Sequence, residues 1–200
     1  MYKINHYFVS TSLATLAEPI SKDNVNLMIT QLTVEHDNLP ENDVLLIIDA
    51  EAIAGLSHLY ACIHFALKSF EQKNNIANNF NAEIMLYLAG RRQISKAISK
   101  VGVSTTTKEI TMIHLIHSTK KNTNKNPFDF RNFFDKMKIK FNDFRSDISE
   151  LKITNIGKIM KNLEISNDML ETFSSGEEQS KNKIIEKLAI EKSALLNLNK

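Results

Sequence analysis

The spacing of apolar residues along the chain predicts alternating helices and strands. Apolar positions that recur every three or four residues are typical of amphipathic helices, and short apolar runs between turn residues are typical of buried strands. These patterns predict strands near 2–8, 44–48, 83–88 and 110–116. They predict helices that begin near Ser21 and that cover 53–70, 91–101, 153–163 and about 181–198. Helices that alternate with strands over short connections favour an α/β (α+β) fold, in which a mixed β-sheet is covered by helices.

A phenylalanine-rich segment follows the last predicted strand. Six of the eleven phenylalanines lie between residues 128 and 144, after a Lys/Asn-rich loop at 117–127. At helical spacing one face can carry four of them, Phe130, Phe134, Phe141 and Phe144. We therefore expect a Phe-rich helical insert at about 119–150 that docks on the core.

Length and composition favour one domain in a reducing compartment. The 200 residues are 42% hydrophobic and 24% charged, which is ordinary for a single compact domain, 1–200, that ends in a C-terminal helix. The single cysteine, Cys62, cannot form an internal disulfide. The start of the chain is too polar for a signal peptide, and no apolar run approaches the roughly 20 residues needed to cross a bilayer. We expect a cytoplasmic protein that does not enter a membrane.

A net charge of +2 conceals an uneven distribution of charge. Between residues 91 and 125 there are eight Lys or Arg and one Glu, which gives +7, so the rest of the chain sums to −5. Six acids without an intervening base lie between residues 35 and 51. The basic segment fits a polyanionic partner, and the open alternative is a solvated surface.

Motifs for common catalytic and metal sites do not occur in the sequence. Phosphate loops, dinucleotide-binding glycines, nucleophile elbows and His-Glu-x-x-His pairs are all missing. The six histidines form no i, i+3 or i+4 pair on a predicted helix, so we expect neither a metal site nor a cofactor. Asp49 and Glu51 can form a carboxylate pair, but the position of Asp49 at the start of a long helix favours a capping role for it, with Glu51 complementing the helix dipole.

The turn after Gly90 carries the strongest functional signal. Two arginines and a glutamine fall in the first turn of the helix predicted at 91–101, where free N–H groups and the helix dipole attract anions such as phosphate. Arginines in a first turn oppose the dipole, which stability alone does not favour. The residues expected to face the core are Ile94, Ala97, Ile98 and Val101. The candidate anion-binding residues are Arg91, Arg92, Gln93, Lys96 and Lys100.

The same segment resembles the signature of a known family. The run from Glu83 to Ile98 is similar to the glycine-basic-Arg-Gln-Ile-x-x-Ala-Ile signature of the kinase-binding regulatory subunit of the KEOPS (EKC) complex, the TPRKB-type family. The run 49–55, Asp-Ala-Glu-Ala-Ile-Ala-Gly, is similar to the start of the helix after that family's central strand, with His58-Leu59 and Ala66 following. With the strand at 110–116 and matches within 186–196, the resemblance covers about two thirds of the chain.

The resemblance implies a non-catalytic protein that binds the small atypical kinase subunit of KEOPS and the 3′ CCA end of tRNA. Such a subunit supports the installation of threonylcarbamoyl on the adenosine next to the anticodon. The matching positions imply tRNA contacts by Arg91, Arg92 and Gln93, with Lys96 as a weaker match. Two alternatives stay open. One is an enzyme that acts on RNA or a nucleotide through Asp49 or Glu51, and the other is a free-standing RNA-binding protein.

The last predicted helix has more apolar residues than one face can hold. They occur at 184, 185, 188, 190, 195 and 196, so one set can pack on the core while the others dock in a partner groove. The resemblance names that partner as the kinase subunit, and core packing alone is the alternative. The candidate kinase-binding residues are Leu188, Ile190, Leu195 and Leu196.

Overall fold

The computed structural model describes residues 1–118, 126–174 and 180–198. Its elements in chain order are β1 (Tyr2–Ile4), β2 (Tyr7–Leu16), α1 (Lys22–Asp37), β3 (Val44–Asp49), a 3₁₀ turn (Ala50–Ala52), α2 (Leu56–Glu71), α3 (Phe80–Ala89), α4 (Ile94–Val101), β4 (Glu109–His117), α5 (Phe130–Lys136), β5 (Phe141–Arg145), α6 (Ile156–Leu163), α7 (Asn167–Ser174) and α8 (Lys181–Leu198). These elements confirm the α/β (α+β) fold class and the C-terminal helix.

The chain forms two compact units, each made of two stretches of sequence. Unit 1 comprises Met1–Ala50 and Val103–Ile148, and unit 2 comprises Glu51–Gly102 and Ser149–Lys200. The single domain expected from length stays a prediction. The two units are described in turn.

Unit 1 is built on an antiparallel sheet with the strand order β1-β2-β4-β3. Strand β4 lies between β2 and β3 and runs antiparallel to both. Tyr7 of β2 pairs with His117, and Val44 of β3 pairs with Leu115. Strands β1 and β5 pair antiparallel with the remaining edge of β2. The expected mixed sheet is therefore wrong for the described strands, because the alternation of helices with strands does not fix the direction in which each strand runs.

The phenylalanine-rich segment supplies much of the core of unit 1. Helix α5 buries Phe130, Phe133 and Phe134 in a cluster with residues of β3 and β4, which confirms a docked helix here. The expectation that this helix continues through Phe141 and Phe144 is wrong. Helix α5 ends before Lys138, whose φ of +58° is left-handed, and residues 141–145 form β5 against β2. Residues 119–125 of the expected insert lie outside the described residues.

A buried Asp–His pair anchors the start of this phenylalanine segment to the sheet. One carboxylate oxygen of Asp43 lies 3.3 Å from His114 Nε2, and the other accepts the His117 N–H at 2.7 Å. His114 Nδ1 accepts the Phe128 N–H at 2.9 Å. Burial lowers the pKa of His114 although Asp43 opposes that shift, so Nδ1 keeps its role as an acceptor.

In unit 2, one element differs from the secondary structure that the sequence predicts. The run at 83–88, expected as a strand, lies in helix α3, which Asn79 caps by accepting the Ala82 N–H at 2.8 Å. Ile84, Leu86 and Leu88 are all fully buried, so apolar residues occupy every face of the helix. A helix without a polar face has no 3.6-residue period, and its sequence looks like a buried strand.

Glu83 shows why an acid occurs within this apolar run. Its side chain is fully buried and accepts the Ser69 hydroxyl at 2.9 Å. Its second oxygen accepts the backbone N–H groups of Ile76 and Ala77 at 2.9 and 2.8 Å. Through these hydrogen bonds Glu83 joins α2, α3 and the loop between them.

Helix α8 packs within unit 2 through one continuous stripe. Its residues Ile184, Ile185, Leu188 and Ala189 share a buried cluster with α6 and α7, and its bounds confirm the predicted last helix. At its first turns, Glu186 accepts the Ser57 N–H at 3.0 Å and thereby caps α2. This contact requires the glycine at 55, where φ is +105° and an added Cβ would lie 2.4 Å from the Glu186 carboxylate.

A buried histidine joins α2 to α8. His58 Nδ1 accepts the Ala54 N–H at 3.1 Å, which leaves the ring proton on Nε2, 3.2 Å from the Ser193 hydroxyl. That hydroxyl in turn donates to the Ala189 carbonyl at 2.9 Å, and the Cys62 thiol lies 3.4 Å from it. Burial lowers the pKa of His58 to about 4 and raises that of Cys62 to about 12.

This histidine should make unit 2 sensitive to acid. The pKa of His58 is about 6.5 when unfolded and about 4 when folded, so the unfolded chain takes up the proton first and stability falls as pH drops from 6.5 to 4. The full loss is about 3 kcal/mol. We expect the free energy of unfolding of His58→Gln to fall less between pH 7 and pH 4.5 than that of wild type, as measured by urea unfolding. Equal losses would contradict this assignment.

Candidate functional site

The candidate site begins where α3 ends at Gly90. This residue has φ +58°, and its N–H and that of Arg91 bond to the carbonyls of Tyr87 and Leu86 at 3.1 and 3.0 Å. Such a left-handed ending satisfies the last carbonyls of a helix and turns the chain sharply. An added Cβ at residue 90 would lie 3.3 Å from Leu163 Cδ2, so glycine also permits the close approach of α6.

The basic residues stand before α4 rather than in its first turn. Helix α4 begins at Ile94 with Gln93 as its N-cap, and the Gln93 side chain makes no capping hydrogen bond to the helix. The expectation that the arginines occupy the first turn is therefore wrong, because the turn that closes α3 extends through Arg91. Arg92 and Gln93 are exposed, and they stand at the positive end of the α4 dipole.

Arg91 is held on two sides. Its side chain is 22% exposed, and one guanidinium nitrogen pairs with the carboxylate of Glu164. Another donates to the carbonyl of Gly90 at 3.2 Å. Of the two arginines, Arg91 is thus fixed in position and already has a negatively charged partner.

The side chain of Lys100 is also held by a hydrogen bond, whereas that of Lys96 is exposed. Lys100 Nζ donates to the Asn162 carbonyl at 2.9 Å, and the Asn162 amide returns a hydrogen bond to the Lys100 carbonyl at 3.2 Å. Burial and then repulsion by Arg91 lower the pKa of Lys100, with Lys161 adding to the effect and Glu164 opposing it. These charges therefore form one interacting cluster.

Three consecutive residues at the C-terminal end of α6 hold the site together, and we name residues 162–164 the α6 clamp. Asn162 bonds to Lys100, Leu163 packs under Gly90, and Glu164 pairs with Arg91. The sequence analysis missed all three. The contacting residues lie more than sixty positions apart in the sequence, so no local spacing predicts these contacts.

Helix α4 exposes apolar residues that were expected in the core. Ala97 and Val101 are fully buried, but Ile94 is 40% and Ile98 50% exposed. An eight-residue helix has room for only one narrow buried stripe, and these isoleucines flank it. At about 100° per residue around the helix axis, Ile94 and Ile98 lie roughly 200° from Lys96 and Lys100. The helix therefore has an apolar flank and a basic flank.

The four candidate kinase-binding residues of α8 differ in exposure. Leu188 and Leu196 are 0% and 6% exposed, so both are buried within this structure. Ile190 is half-buried and Leu195 is 40% exposed. Ile190 and Leu195 are therefore the two that can meet a partner without local unfolding.

The carboxylates considered as catalytic acids are engaged in other contacts. Asp49 is 2% exposed and accepts the Thr107 hydroxyl at 2.8 Å, so the expectation that it caps the long helix is wrong. Gly55 occupies that N-cap position, because the 3₁₀ turn at Ala50–Ala52 separates β3 from α2. Glu51 pairs with Lys158 at 3.3 Å.

A comparison with protein-family models now adds a finding from the whole sequence. The family model described as kinase binding protein CGI-121 matches residues 22–197. The chain belongs to this family. The CGI-121 match confirms the family suggested by the sequence, includes every candidate residue named above, and identifies a kinase as the class of partner. A search of curated proteins finds no match for this chain.

Two further findings concern ligands and membranes. Within residues 1–118, 126–174 and 180–198, no three His, Cys, Asp or Glu side chains gather into a group that could hold a metal ion. In the same residues, no helix combines the length and apolar character that crossing a bilayer requires.

The clamp predicts opposite outcomes for two glycine substitutions. Gly90→Ala places a side chain in a left-handed conformation and against Leu163, which should lower the free energy of unfolding by about 1–2 kcal/mol. Gly157→Ala is the matched control in α6, where an added Cβ meets nothing closer than 3.9 Å. It should be neutral or stabilising by up to about 1 kcal/mol. Urea unfolding of both variants tests this, and similar values for the two would refute the role of Gly90.

Proposed function

We propose that this CGI-121 family member is a cytoplasmic, non-catalytic subunit of the KEOPS complex. In this proposal it binds the small atypical kinase subunit and the 3′ CCA end of tRNA, and so supports threonylcarbamoyl modification of the adenosine next to the anticodon. The observation that carries the proposal is the two-sided helix α4. Its apolar flank suits a protein partner, and its basic flank, together with Arg92 before the helix, suits a polyanion.

Exposed aliphatic side chains support a kinase-binding surface on unit 2. Ile94 and Ile98 lie one turn apart on α4, and burying such side chains against a partner is favourable by about 25 cal/mol per Å² of apolar surface. Leu195 and Ile190 of α8 offer a second apolar contact. The family description names a kinase as partner, and we assign it to these residues.

The basic residues support the tRNA part of the proposal. Arg92, Gln93 and Lys96 are exposed, and they adjoin the fixed cations Arg91 and Lys100. Arginine and lysine neutralise phosphates, while the glutamine amide can bond to a base edge or ribose of an unpaired end. A single-stranded 3′ end offers both kinds of group.

A non-catalytic role agrees with the state of the carboxylates. Asp49 is buried against Thr107 and Glu51 is paired with Lys158, so both carboxylates already have partners. The alternative of an RNA- or nucleotide-directed enzyme predicts turnover by the purified protein that Glu51→Ala abolishes.

For the kinase, we expect Ile98→Glu to weaken binding by about tenfold or more, because it places an unpaired charge in an apolar contact. Ile29→Glu is the matched control, since Ile29 is 56% exposed on α1 in unit 1. Titration calorimetry with the purified kinase subunit gives both affinities. If Ile98→Glu binds as well as the control while remaining folded, the kinase contact does not include this flank of α4.

For tRNA, we expect Arg92→Glu to abolish most binding while leaving the fold intact, since Arg92 is exposed. Lys22→Glu, an equal change of charge at the start of α1, should retain most of the affinity. Filter binding at several salt concentrations should give a slope of roughly 0.7 log units of affinity per log unit of salt for each single-strand phosphate neutralised. Equal affinity for intact tRNA and for tRNA without its CCA end would disprove this site.

A further inference from the structure

The cation nearest the turn already carries a negatively charged partner. Arg91 pairs with Glu164, whose own side chain is 70% exposed. A phosphate that binds Arg91 therefore has to compete with this carboxylate. The pair thus lies where the proposed function places an RNA phosphate.

The position of Glu164 is unfavourable for an acid in two respects. It is the C-cap of α6, where the helix dipole presents its negative end and attracts cations instead. It also has φ +55°, a left-handed conformation that residues other than glycine and asparagine seldom adopt. Local structure does not explain a glutamate here, whereas the guanidinium of Arg91 does.

The surrounding charges do not cancel. Lys100 is repelled by two further cations, Arg91 and Lys161, and attracted by Glu164, which leaves a balance of +2 among the four charges. Lys100 is held by the Asn162 carbonyl next to the clamp glutamate. The cluster therefore still attracts a polyanion, but a ligand with one negative charge gains little by replacing a carboxylate that is already in place.

We propose that Glu164 is a built-in competitor for the RNA phosphate, occupying Arg91 in the free protein and giving way when the 3′ end of the RNA binds. This inference rests on the proposed tRNA-binding function. Exchange of a carboxylate for one phosphate gains little by itself, so binding depends on added contacts to Arg92, Gln93 and Lys96. The competitor thereby disfavours lone phosphates and favours a longer single-stranded end.

The test is the substitution Glu164→Gln, which keeps the shape of the side chain and an acceptor oxygen for Arg91. The probe is a fluorescent acceptor-stem hairpin that ends in single-stranded CCA, measured by anisotropy with full-length protein. We expect the variant to bind about fivefold tighter than wild type. Glu171→Gln on α7 changes the net charge equally, and its affinity for the hairpin should stay within about twofold of the wild-type affinity. Thermal unfolding checks that both variants are folded.

A second pair of proteins separates competition from a general effect of charge. In an Arg91→Ala background the carboxylate has no arginine to occupy, so adding Glu164→Gln should give no gain in affinity. A gain of the same size there would overturn the inference and show a general effect of charge. Unchanged binding by the single variant would also overturn it, and weaker binding would make Glu164 a residue that orients Arg91. If neither wild type nor Glu164→Gln binds the hairpin, the proposed tRNA function fails as well.

Discussion

The candidate site depends on one close approach, that of the Leu163 side chain to the bare α-carbon of Gly90. A side chain at residue 90 would press on Leu163, which lies between the two clamp residues that hold Arg91 and Lys100. With the clamp in place, Arg91 and Lys100 are already ordered. Long cationic side chains lose much conformational freedom when they are fixed. Here that entropy is lost during folding, so less is lost when a ligand arrives.

The sequence predicted those elements whose two faces differ. Strand β3, helix α2 and the bounds of α8 all follow from apolar spacing and turn residues. Helix α3 did not, because its side chains are buried all round and the helical period vanishes. Helix α4 was recognised, yet Ile94 and Ile98 were assigned to the core. Apolar residues at helical spacing look the same whether they pack inside a subunit or await a partner.

The candidate site divides in a similar way. Charge and helix position identified Arg92, Gln93 and Lys96, and the structure places all three at the surface. Glu164 could not be identified, since it lies 73 residues from Arg91 and is one acid among many. Contacts across such distances are decided by the packing of α6, which no short motif records. Sequence therefore indicates which groups face the solvent more readily than it indicates which groups restrain them.

The buried hydroxyl of Ser193 has a practical consequence for anyone who wishes to label this protein. The thiol beside it, Cys62, is the single cysteine of the chain, fully buried and with its pKa raised to about 12. Maleimides and iodoacetamides react with thiolates, of which almost none exist here at neutral pH. A cysteine introduced on the surface can therefore carry a dye or spin label selectively, without removal of the native one. Reaction of Cys62 itself would report opening of the contact between α2 and α8.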